Sequence, residues 1–109
     1  MDKQSIIQYK GAFDSIATYI ESDNGQEQVE VWFARDLQKV LGYARWENFL
    51  TAINRAVESC NSQNISVDDH FREVTKMVKL GSGSEREIKD FMLTRYACYL
   101  IAQNGDPKK

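Results

Sequence analysis

The apolar positions change period several times along the chain, and each change marks an element. Ile6, Ile7, Tyr9, Phe13, Ile16, Ala17 and Ile20 recur at spacings of three and four, with an irregularity at Gly11. This spacing predicts a short helix over residues 12–20, preceded by a loosely ordered arm over 1–11. The charged stretch ESDNGQEQ, residues 21–28, contains Asn24-Gly25, a turn signal. Val29, Val31 and Phe33 then alternate with Glu30 and Trp32, which predicts a short strand over 29–33.

From Ala34 the period becomes helical. Leu37, Val40 and Leu41 share one face and Gly42 is the natural stop, giving a helix over 34–41. A second helix over 45–60 places Trp46, Phe49, Leu50, Ile53, Val57 and Cys60 on one stripe, with Arg45, Asn48, Arg55 and Ser59 opposite. After the polar loop CNSQNISVDDH, two apolar-rich runs, 71–80 and 86–92, flank GSGS and read as a hairpin. Val74, Val78 and Leu80 share one face of it while Phe71 and Met77 lie on the other, which implies cover on both sides or a bulge. Thr94 is a good N-cap for a last helix over 94–104, with Tyr96, Ala97, Leu100 and Ile101 as its buried stripe and Gly105 and Pro107 as its end. Trp46, Phe49, Ile53, Leu100 and Ile101 are the expected core.

The fold class expected from these elements is α+β: a helix-turn-helix-like helical pair packed with a short strand and a β-hairpin, followed by a C-terminal helix. At 109 residues, with twelve aromatics among them, the chain suits one domain with one core. No apolar run approaches the roughly 20 residues of a membrane span, and the first ten residues lack the apolar stretch of a signal peptide. A soluble cytoplasmic protein without a membrane partner is therefore expected. Cys60 and Cys98 sit far apart at apolar helical positions, which favours reduced core thiols over a redox pair. With a single histidine, His70, no metal or other cofactor is expected.

The formal net charge of −2 argues against a protein that grips nucleic acid over its whole surface. The distribution changes that picture. Residues 1–33 hold two basic and six acidic side chains, leaving the remainder of the chain at +2. Two helices joined by a tight glycine turn can place the second helix in a major groove, and Arg45 and Asn48 at its first turn, with Arg55 further along, are the candidate DNA contacts. Asparagine can read adenine and arginine can read guanine. Lys76, Lys79, Arg86 and Lys89 bracket the GSGS tip as a wing could, although Glu73, Glu85, Glu87 and Asp90 alternate with them as on an ordinary solvated surface. Gln38 stands where such a unit usually has a small residue, and a helical hairpin without DNA contact fits the same pattern. Catalysis is not expected: no metalloprotease, nucleophile-elbow or paired Cys/His signature is present. Asp68, Asp69 and His70, being adjacent in a loop, read as capping and turning the chain rather than as an acid–base or metal site.

Three stretches carry a resemblance beyond pattern: ARDLQKVLGYARWENF over Ala34–Phe49, DHFREVTKMVKLGSG over Asp69–Gly83, and LTRYACYLIAQNGDPK over Leu93–Lys108. Together they resemble the DNA-damage-inducible protein D family, within the wider set of phage and baculovirus proteins with a BRO-type N-terminal domain, often described as antirepressors. The resemblance covers roughly residues 12–109. It implies an α+β fold of DNA-binding ancestry and a role linked to the DNA-damage response, with DNA, single-stranded or duplex, or a recombinase filament on single-stranded DNA as partner. Two departures stand out. Phe33 occupies the cap position of the first helix, where a small polar residue is usual, and family members continue well beyond the positions matched by Asp106 and Pro107. The chain thus looks like the N-terminal portion of a longer protein. A protein-interaction or dimerisation domain, as in a homodimer without direct DNA contact, is the alternative reading.

Overall fold

The computed structural model describes residues 11–22 and 24–105. Residues 11–15 are the described part of a first helix, α1. It does not run on to residue 20 as the spacing predicts. Ser15 Oγ donates back to Ala12 O at 2.8 Å, the last turn tightens into Ile16–Phe13 and Ala17–Asp14 backbone bonds, and the chain then extends. Strand β1, Thr18–Glu21, pairs antiparallel with β2, Gln28–Phe33, in the register Thr18 to Val31 through Glu21 to Gln28. Asn24-Gly25 serves the connecting turn, Gly25 taking a φ of 69° and Asn24 Oδ1 accepting from Gln26 N. The β-branched and aromatic residues of TYIE alternate half-buried and exposed, the period of a strand. Of the expected arm, residues 1–10 lie outside the described residues.

Helix α2, Ala34–Val40, and helix α3, Trp46–Ser62, form the helical pair. Gly42, at φ 79°, lets the chain leave α2: its N–H bonds Lys39 O, while Tyr43 N–H bonds Gln38 O. These two bonds satisfy the carbonyls a helix end would orphan. Gln38 is no misfit here, because its Nε2 donates to Tyr43 O at 3.1 Å and holds the turn closed. The far end of α3 repeats the device with Asn64 in the left-handed region and Ile65 N–H on Cys60 O.

Strands β3, Phe71–Lys79, and β4, Glu85–Leu93, pair continuously from Phe71–Leu93 to Lys79–Glu85, so the body of the hairpin has no bulge. Its tip closes through Leu80 N–H on Ser84 O and Gly83 at φ 88°. The sheet order is β1-β2-β4-β3. Because β2 pairs with β4 only at Trp32–Leu93 and Phe33–Met92 before turning into α2, the outer part of the hairpin extends as a two-stranded ribbon. Helix α4, Arg95–Asn104, is capped by Thr94, whose Oγ1 accepts from Ala97 N at 3.1 Å. Gly105 ends it, where a Cβ would lie 2.5 Å from the Tyr43 hydroxyl.

The core lies between the helices and one face of the sheet. Trp32, Leu37, Phe49, Ile53, Cys60, Leu93, Cys98, Leu100 and Ile101 are buried in it. Trp46 is partly buried against this core, and the Arg35 guanidinium covers one face of its indole, 3.7 Å above the ring centroid. No helix among the described residues is long and apolar enough to cross a membrane.

Both cysteines are buried free thiols. Burial pushes the Cys98 thiol up to about 12, outweighing the opposing pull of Arg95, and raises Cys60 as well. An unfolded chain releases these protons near pH 8.5, so the folded state binds more protons above that value and stability falls as pH rises from about 8.5 towards 12. The expected slope for Cys98 is up to about 1.4 kcal/mol per pH unit. Urea unfolding at pH 8, 9 and 10 measures it, and Cys98→Ala should flatten the fall; an unchanged slope in that variant would contradict the burial.

Candidate functional site

The exposed surface of α3 holds the first group of candidates. Arg45 is the N-cap, in extended conformation and without a side-chain cap, so the first turn of α3 is presented on a bare helix start. Asn48 lies in that turn, and Arg55, seven residues further on, returns to the same face. All three side chains are exposed, and neither arginine has an ion-pair partner among the described residues. Glu47 and Glu58 are also exposed on this helix and moderate its potential.

The hairpin does not gather its four candidate cations. Register and the alternation of side chains sort Lys76 and Arg86 onto one face and Lys79 and Lys89 onto the other. Lys89 is paired with Glu73 at 3.3 Å, and the face it shares with Lys79 also carries Glu85 and Glu87. On the opposite face the exposed charged side chains of the strands are Arg72, Lys76 and Arg86, all basic. The acid expected to neutralise that face, Asp90, is fully buried. Its Oδ1 accepts from Arg35 N at 3.0 Å and from Phe91 N at 2.8 Å, so it caps the start of α2 in place of the residue before it, Phe33.

Arg72 and Arg35 are two of the basic residues that sequence reasoning passed over. Arg72 shares the parity of Lys76 and sits at the base of the basic face, where it lines a hollow of about 280 Å³ with Glu21, Asp68, Asp69 and His70. Arg35 ties α2 to the sheet by donating from Nε to Lys89 O at 3.0 Å, and its stacking on Trp46 joins both to the first turn of α3. Trp46 in turn stacks on Phe91, with centroids 6.5 Å apart.

Asp68, Asp69 and His70 do turn the chain. His70 N–H and Phe71 N–H both bond Val67 O, and His70 Nδ1 lies 2.7 Å from Thr94 Oγ1, so the imidazole supports the cap of α4. No group of three or more His, Cys, Asp or Glu side chains among the described residues could hold a metal ion. A further knot lies on the other side of the sheet. Arg95 grips Glu30 with two nitrogens, Nε and Nη2, meets the Tyr99 hydroxyl and stacks on Trp32 and Phe13; these bonds, the one to Tyr99 foremost, raise its affinity for its proton. With Trp32 Nε1 donating to Phe13 O at 2.9 Å, this knot fastens α1 to β2 and α4.

Comparison with known proteins places this geometry in a family. The chain is 50% identical over 86 residues to DNA damage-inducible protein D of Escherichia coli strain K12, an alignment that covers 79% of this chain and 30% of that protein. The chain thus spans about a third of the length of that relative. No solved structure matches it significantly. The model of the BRO family, N-terminal domain, matches residues 20–109. That span begins inside β1 and takes in β2, the helical pair, the β3–β4 hairpin and α4, and the chain belongs to the BRO family through this N-terminal domain.

Proposed function

We propose that this domain is a regulatory module of a DNA-damage response that contacts DNA directly, whether free or held in a recombinase filament, through the exposed face of α3. The observation that carries this reading is the state of Arg45 and Arg55: both are exposed, and neither is neutralised by an ion pair among the described residues. Cations left in this state are free to replace the counterions of a phosphate backbone. Asn48, in the same helical turn as Arg45, is of a type that reads a base edge. Membership in the BRO family and the name of the Escherichia coli relative, which refers to DNA damage, support the biological setting. No catalytic step is proposed.

Replacing Arg45 and Arg55 together by Ala should weaken binding to DNA and lower the slope of log affinity against log salt by about one unit for each phosphate no longer neutralised. Fluorescence anisotropy with single-stranded and duplex oligonucleotides at several salt concentrations measures both. The fold should survive, since both side chains lie off the buried stripe of α3. Unchanged affinity and slope would reduce the helix to a structural face.

A second reading has its own observation. An apolar hollow of about 230 Å³ lies between α2 and α4, lined by Phe13, Leu37, Val40, Leu41, Cys98 and Tyr99, and Tyr99 is 54% exposed. A surface of this kind fits a protein partner or a second copy of the chain, and such binding would respond little to salt.

A further inference from the structure

The hairpin ribbon separates its charges by face. Residues paired across β3 and β4 share a face, so Arg72, Val74, Lys76 and Val78 stand with Arg86, Ile88, Asp90 and Met92. Asp90 is buried under the start of α2, and Arg72 has Glu21, Asp68 and Asp69 around the hollow it lines. That leaves Lys76 and Arg86 as the outer cations of a ribbon face with no exposed acid of its own. Lys76 pairs with Ile88 and Arg86 with Val78, so the two are diagonal neighbours, about 7–8 Å apart at the backbone. The opposite face carries Glu73, Glu85 and Glu87 against Lys79 and Lys89.

We propose that the Lys76–Arg86 face of the β3–β4 ribbon is a phosphate-contacting surface for duplex DNA, separate from α3. Two cations at diagonal spacing can each meet a phosphate of one strand, and the side chains between them, Val78 and Ile88, are aliphatic. A surface built for single strands needs aromatic platforms on which bases stack. The ring of Phe33 lies beside Lys76, whose Nζ already stands over it, 5.9 Å from its centroid. A two-stranded ribbon also has the width that a major groove admits. This inference rests on the reading of the domain as DNA-contacting and adds a second contact surface to it.

The test uses the 109-residue chain and two double variants of equal charge change, Lys76→Ser with Arg86→Ser, and Lys79→Ser with Lys89→Ser. Anisotropy is read with a fluorescein-labelled duplex and with one strand of that duplex alone, between about 50 and 200 mM salt. The first variant should lose about tenfold or more in duplex affinity and about two units of salt slope, while the second should stay within about threefold of the parent. Equal losses in both would show a net-charge effect, and no loss in either would show a solvated face; each overturns the proposal. A parent chain that binds the single strand as tightly as the duplex overturns the choice of duplex. If the Arg45→Ala, Arg55→Ala variant loses binding while Lys76→Ser, Arg86→Ser keeps it, only the ribbon surface falls. If the parent binds neither nucleic acid, both readings fall. Circular dichroism of each variant, matched to the parent, excludes unfolding as the cause.

Discussion

Truncating Phe49 to Ala should lower the stability of the domain by about 3–5 kcal/mol, the largest single effect expected of any substitution considered. The ring is completely buried. Its neighbours Tyr43 and Trp46 meet it in tilted contacts at centroid distances of 5.1 and 6.0 Å, within the separation at which aromatic pairs gain beyond their buried area. Removing the ring opens a cavity where the turn after α2 meets the first turn of α3, and neither element can collapse into it freely: the turn is fixed by the Gly42 and Tyr43 backbone bonds, and α3 by its packing on α4. A domain of this size has about 5–15 kcal/mol in total, so the variant should melt roughly 10–25 °C lower. Leu100→Ala, in the middle of α4, should cost about 2–5 kcal/mol. Trp46→Ala should cost less than Phe49→Ala, because Trp46 is only partly buried whereas Phe49 is fully buried. Scanning calorimetry of the three variants checks the ranking; a midpoint unmoved by Phe49→Ala would refute this placement of the core.

That ranking also shows what could be read from the sequence. The stripe from Trp46 to Cys60 has the helical period at every step, and the residues placed inside by that period, Phe49 and Ile53, are inside. Trp46 packs on the same core from the edge of the stripe, and the guanidinium from another helix that covers its outer face is a contact that periodicity cannot encode. The first helix fails for a related reason. Phe13, Ile16 and Ile20 satisfy a helical spacing, but Ile20 also alternates with Tyr19 and Glu21, and a partner strand ten residues away decides between the two. Local propensity is a weak prior wherever such a partner exists. The same holds for the hairpin charges. Once the GSGS turn is centred at Ser82, simple parity puts Lys76 with Arg86 and Lys79 with Lys89, so the separation of charge by face was present in the sequence and needed only the register. The burial of Asp90 was not, since the groups it serves include a backbone amide 55 residues earlier.

Asp90 therefore supports the second large expected effect. Helix α2 begins at Ala34 after Phe33, which offers no side-chain acceptor, and the backbone N–H of Arg35 would lack a partner there. Asp90 Oδ1 supplies it and also accepts from Phe91 N, while Oδ2 is buried without a hydrogen-bond partner among the described residues. Asp90→Ala removes the acceptor from two partly buried donors at once. Each donor left unsatisfied costs about 1–3 kcal/mol, and because both sites are only partly buried a total loss of about 2–3 kcal/mol is expected. Asp90→Asn should cost clearly less than Asp90→Ala. The amide keeps Oδ1 for both donors, and its nitrogen takes the place of an oxygen that already lacked a partner, so one unpaired polar group replaces another. Urea unfolding with an unchanged m-value separates a loss of stability from a change in compactness. The outcome bears on the proposed surface as well, because Asp90 holds the start of α2 against β4 and keeps its own charge off the basic ribbon face. Loss of Asp90 should loosen Arg35 from Lys89 O and from Trp46, which tryptophan fluorescence would report as a change in the indole environment. If the alanine variant unfolds no more easily than the asparagine variant, the carboxylate is not the cap of α2.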